Sequence, residues 1–149
     1  MATSSFDAQA VAIANRFLAA ALTPPAGYGT IRSSTANAPG AIGPTPAVVV
    51  SLNEGEYDTG NGTRKGSASW FVRFYFDQTS DLERTEPAIR EWMDVLRDQL
   101  KAASQLGGIV DRCILGAFRV GILAYGGVDY TGAELTVYTA TSEGWSATS

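Results

Sequence analysis

At 149 residues, 45% of them hydrophobic, the chain has the size and composition of one globular domain, and it can bury about 68–70% of the surface its unfolded form exposes without help from disulfides or a structural metal. The lone Cys113 cannot bridge internally, and the absence of histidine removes Ser/His/Asp and Cys/His nucleophile systems, most zinc hydrolase sites and the commonest general base. Fifteen acids against 11 bases, net −4, leave no basic face for counterion-release binding to DNA or RNA, although an acidic surface repels a passing polyanion and keeps it from adhering.

The N-terminal MATSSFDAQAVAIANRFLAAALTPP lacks the basic region of a signal peptide. Phe6, Ala10, Ile13, Ala14, Phe17, Leu18 and Ala21 recur at helical spacing, so it reads as an amphipathic helix, with Ser5 as N-cap and Pro24-Pro25 as its stop. No stretch is long and apolar enough for a membrane span. From Ala26 to Pro46 Gly, Pro, Ser and Ala dominate. This long connection either carries a short strand around Gly29 to Ser33 or is an arm that orders on a partner.

AVVVSL (47–52) and SASWFVRFYFDQ (67–78) predict two strands of a hairpin. In the second, Trp70, Val72, Phe74 and Phe76 share the face that meets helices, while Phe71, Arg73 and Tyr75 share the other. The connection between them, 53–66, is charged and glycine-rich and reads as a long loop with a turn at Asn61-Gly62. Its oxygen ligands Glu54, Glu56, Asp58 and Asn61 miss the ordered calcium-loop pattern, and the carboxylates have no visible pocket for acid/base work.

EPAIREWMDVLRDQLKAASQLGG predicts a second helix, with Ile89, Trp92, Met93, Leu96 and Leu100 as its core stripe, Thr85 as N-cap, Pro87 in the first turn and Gly107-Gly108 at its end. Two strands follow, about Cys113 to Tyr125 and Ala133 to Thr141. Gly116 and Gly121 suggest a bulge or a close backbone approach in the first. Cys113 alternates with apolar neighbours and reads as an inert buried thiol, which suits a reducing cytoplasm. YGGVDYTGAELTVY leads into a strand, not a helix, so its glycines form a turn and not a dinucleotide loop. Tyr125, Tyr130 and Tyr138 are amphipathic side chains suited to a half-buried position.

The expected fold is therefore α+β, one domain over 1–149, with a mostly antiparallel sheet of four to five strands flanked by two helices in the order α-β-β-α-β-β and long loops at 26–46 and 53–66. This order of elements, with AVVVSL and SASWFVRFYF around a long loop, EPAIREWMDVLRDQL ending in LGG, and a strand pair through YGGVDYTGAELTVY, resembles the tail terminator proteins of long-tailed bacteriophages and the related neck and tail-completion proteins. The likeness runs over most of the chain and contains no catalytic motif. It implies a non-enzymatic virion protein without cofactor or metal, assembled in the host cytoplasm as a homo-oligomeric, hexameric ring on the last disc of the tail tube. Its other face meets the head-completion or connector protein, and DNA passes through the lumen without specific binding.

On that footing, 53–66, with Glu54, Glu56, Asp58, Arg64 and Lys65, is expected to face the lumen or tube, where the acids keep DNA from sticking. Reversing the three acidic charges is then expected to spare the ring while slowing DNA ejection or impairing tail joining. Arg73, Tyr75, Tyr125, Tyr130 and Tyr138 are the expected subunit interface, because a ring uses one patch against a different patch of its neighbour. The alternatives are another neck ring protein and, from a different class, a small cytoplasmic ligand-binding module that uses the apolar sheet as a pocket.

Overall fold

The computed structural model describes the backbone of residues 5–17, 31–60 and 63–144, and their side chains except those of 57–60, 63–65 and 142–144. Helix α1, Phe6–Phe17, begins as its sequence requires, with the Ser5 hydroxyl accepting the Ala8 N–H at 3.1 Å. Its stripe of Ala10, Ile13, Ala14 and Phe17 is buried; Leu18, Ala21 and the Pro24-Pro25 stop lie outside the described residues.

The chain is α+β, but its sheet is mixed and its order is α-β-β-β-α-β-β. The added element is β1, Ser33–Thr35, which pairs parallel with the start of β2. Three small polar residues have no hydrophobic signature; backbone pairing and the buried Ile31 just before them hold this strand. Of the connection 26–46, residues 31–46 thus include a strand slightly later than expected.

The larger correction concerns 53–66. Strand β2 runs from Ala47 to Gly60 and β3 from Thr63 to Asp77, paired as far as Gly60↔Thr63. Charge and glycine argued for a loop because they cannot enter a core. A strand needs no core on either side, however, when its backbone ladder is satisfied and its side chains are wet. The ladder set by AVVVSL against SASWFVRFYF simply continues outward, and β5 accompanies it as far as Thr63↔Gly144. The segment is therefore the end of a three-stranded blade. Its Asn61-Gly62 tip lies outside the described residues.

Helix α2, Leu82–Ala102, starts three residues before its expected cap. Asp81 caps it, accepting the Arg84 N–H at 3.2 Å, while the Thr85 hydroxyl donates to the Asp81 carbonyl at 3.1 Å. Pro87 consequently sits inside the helix, not at its first position. The helix also stops earlier, at Ala102, and Gly107 and Gly108, with φ of 70° and 95°, serve a separate 3-10 turn, Leu106–Gly108, that redirects the chain.

Strands β4, Arg112–Tyr125, and β5, Val128–Gly144, close the sheet in the order β1-β2-β3-β5-β4. They join through Gly126 and Gly127, whose φ of 60° and 82° meet the demand of a two-residue type I′ hairpin. The glycine-rich YGGVDYTGAELTVY is thus a tight turn followed by strand. Gly116 is at a bulge, between Leu115 and Ala117, as its position suggested. Gly121 meets no close neighbour; the close approach is at Gly132, where a Cβ would lie 1.8 Å from the Phe74 carbonyl oxygen.

One face of the sheet lies under both helices. Val48, Val50, Trp70, Val72, Phe74, Leu135 and Val137 pack there against Ile13, Phe17, Ile89, Trp92 and Leu96. Trp92 stacks on Phe74 with ring centres 5.3 Å apart. A polar relay crosses this core, in which Trp70 Nε1 donates to Thr139 Oγ1 at 3.0 Å and Thr139 Oγ1 donates to Gln9 Oε1 at 2.8 Å. Each member is buried, so each donor requires its acceptor.

Candidate functional site

Among the described residues no helix covers the opposite face of the sheet, and on it lie most of the side chains singled out from sequence. Cross-strand register sets Arg73 beside Glu134 and Glu134 beside Arg119 in one row over β3, β5 and β4. Arg73 Nε donates to Glu134 Oε2 at 2.9 Å, its Nη1 reaches Ser51 Oγ at 3.3 Å, and its guanidinium lies over the Phe71 ring at 5.1 Å. Arg119 approaches the other Glu134 oxygen at 3.9 Å, with its side chain 80% exposed. Arg73 is thus held within its own subunit, while Arg119 retains most of its surface.

Toward the hairpin end, Tyr75 and Tyr130 leave the outer surface altogether. Their rings meet edge to face at 5.4 Å, Tyr125 adds a second such contact at 5.8 Å, and Ala47 and Val49 complete a small second core with Ile42 packed on it. The Tyr125 hydroxyl donates to the Pro39 carbonyl, which ties residues 36–46 over this end. Tyr75 and Tyr130, expected at an interface, are therefore buried within the fold of this chain. Burial accordingly raises the Tyr75 pKa above 10.0. Of the five residues expected at a subunit interface, Tyr138 alone is strongly exposed.

At the blade end the twisted open face forms a cleft of about 530 Å³ whose lining includes Glu54, Glu56, Ser69, Arg112, Ile114 and Tyr138. Glu54 and Glu56 share this face because they oppose Ser69 and Ser67, on the row of β3 that also holds Arg73. The carboxylates are exposed and face an open groove, not an enclosed chamber. Asp58, Arg64 and Lys65 lie further out, in the register Asp58↔Lys65 and Thr59↔Arg64; their side chains are outside the described residues. Among the described residues no three acidic, cysteine or histidine side chains gather as a metal site would require, and no helix is long and apolar enough to cross a membrane.

Cys113 is buried on the helix-covered face, and loss of solvation lifts its thiol from 9.0 to about 11, the opposite of an activated nucleophile.

The feature that sequence reading missed is the edge. β4 ends the sheet, and among the described residues no backbone group pairs with its outer side from Ile114 to Tyr125; only the Cys113 N–H is taken, by Ser104 O at 2.6 Å. Phe118 and Ile122 project on the helix side beyond the cover of α2, 54% and 50% exposed, and Ile114 projects on the open side at 45%. Alternating apolar residues announced a strand, but only the strand order shows which strand lacks a neighbour. The chain matches no protein-family model and no curated protein.

Proposed function

We propose that the chain is a non-enzymatic structural subunit of a homo-oligomeric ring, and that its place is the neck of a tailed virion as tail terminator, between tail tube and head-completion protein. The observation that carries the reading is the 14-residue terminal strand β4, which among the described residues has no backbone partner on its outer side from Ile114 to Tyr125 and is lined with exposed Ile114, Phe118 and Ile122. Long apolar edges of this kind template pairing with another chain, and solitary proteins blunt them with charge, proline, bulges or a covering element; β4 has one bulge, at Gly116, and is otherwise regular to Tyr125. Here Arg119 is the single charge between Cys113 and Tyr125. An assembly subunit needs such an edge. The virion assignment itself rests on the resemblance of AVVVSL, SASWFVRFYF, EPAIREWMDVLRDQL and YGGVDYTGAELTVY to the tail terminator family.

Acids of the blade that no neighbouring copy covers fit the ring reading, since carboxylates at a lumen repel DNA in transit and leave it free to move. Negative-stain imaging of the purified protein tests the proposal. Rings with a central hole, and the same protein at the head-proximal end of isolated tails, are expected; single particles of the size of one 15.7 kDa chain, with no tail association, would overturn it.

A further inference from the structure

The ring reading requires two different patches that fit each other, and we infer that these are the two edges of the sheet: β4 of one copy pairs antiparallel with the free outer edge of β2, Leu52–Gly60, of the next copy. The inference rests on the ring proposal and names its contact.

Strand direction comes first. β2 runs opposite to β3, β3 opposite to β5, and β5 opposite to β4, so β2 and β4 are themselves opposed. Rotation about an axis along the strands keeps those directions, and it brings β4 against the neighbour's β2 as an antiparallel pair. Second, β2 has an edge to offer. β1 takes it only at Ala47, Val48 and Val49, and among the described residues no backbone group pairs with its outer side beyond Leu52.

Third, the edges are complementary in charge and in apolar surface. From Asn53 to Gly60 β2 has three acids and no base, whereas β4 has two arginines and no acid. Leu52, 46% exposed, lies on the helix face as do Phe118 and Ile122; Glu54 and Glu56 lie on the open face as does Arg119. With Leu52 opposite Ile122 and the bulge at Asn53 accommodated, Glu56 falls opposite Arg119. One register thus satisfies both faces, with apolar contact under the sheet and an ion pair above it. Cross-strand pairs of both kinds favour a register, and like charges placed opposite each other disfavour it.

This commits Glu56, and with it Glu54, to a contact between copies, in place of the expectation that reversing the acidic charges would spare the ring. The test is charge exchange followed by sedimentation over a concentration series, with circular dichroism to confirm folding. Glu56→Arg and Arg119→Glu should each raise the concentration for half-assembly about tenfold or more, since each sets like charges opposite one another. The double variant should recover assembly, and so should a 1:1 mixture of the two single variants, because every contact in an alternating ring is then complementary. Wild-type oligomers whose assembly is unchanged in both single variants, or lost and not recovered by the exchange, would overturn the edge pairing and leave the ring standing. A wild-type chain that stays monomeric throughout would overturn the ring reading and this pairing together.

Discussion

The two faces of one sheet have opposite characters, although the same five strands build both. Under the helices the alternate residues are Val48, Val50, Trp70, Val72, Phe74, Leu135 and Val137, dry and closed by aromatic contacts. On the other side the intervening residues are Ser51, Ser69, Phe71, Arg73, Glu134 and Tyr138, joined by an arginine–glutamate row and polar and mostly half-buried until the face closes into the Tyr75–Tyr130 cluster at the hairpin end. The contrast separates two tasks. The covered face carries the stability of the chain, whereas in the proposed ring the open face and the β4 edge, where apolar residues extend past the helices, would meet a neighbour.

Substitutions on the two sides should therefore differ in kind as well as size. Trp92→Ala, which empties the fully buried contact with Phe74, is expected to lower unfolding free energy by about 3–5 kcal/mol in denaturant titration. Gly132→Ala comes next, at about 2–3 kcal/mol, because its Cβ would meet a backbone oxygen that cannot swing aside. Thr139→Val removes the acceptor of a buried indole N–H and should cost about 1–3 kcal/mol; an unchanged midpoint would show that the relay is not a structural element. Phe118→Ser, on the exposed edge, should change monomer unfolding by no more than about 0.5 kcal/mol while weakening assembly, and a stability loss as large as that of Trp92→Ala would erase the distinction.

The smallest effect concerns pH. Cys113 and Tyr75 both have raised pKa values from burial, so the folded chain keeps protons that the unfolded chain releases. The Cys113 contribution is fully present below pH 9, the ordinary thiol value, and is lost as pH climbs through about 11, while that of Tyr75 is fully present below 10.0 and is lost only above it. Melting temperatures should be flat near pH 8 and fall between 9 and 11, and a thiol reagent should label Cys113 at pH 8 only on unfolding.

How much of this was legible follows from what each signal depends on. The stripe of α1 as far as Phe17, the stripe of α2, the aromatic face of β3 and the Gly126-Gly127 turn are set by local spacing, and they stand where the sequence puts them. The strand over 53–66 is not legible because composition reports burial, and a strand whose side chains stay out of a core, as Asn53 to Glu56 do, has the composition of a loop. Tyr75 and Tyr130 looked available because an aromatic outer face on one strand is indistinguishable from a second core until the strand beside it and the segment above it are known. Asp81 displaced Thr85 as cap because Leu82–Arg84 adds a turn with no apolar period of its own to announce it. The unpaired edge depends on strand order, which no local pattern in β4 encodes.

The central claim is that the protein is complete only as an assembly of identical copies. Sedimentation velocity of the wild-type chain over a wide concentration range tests it most directly. A closed species several times the 15.7 kDa protomer mass, dissociating on dilution without intermediates of indefinite length, is the predicted result. A sedimentation coefficient that stays at the protomer value at every concentration would contradict it.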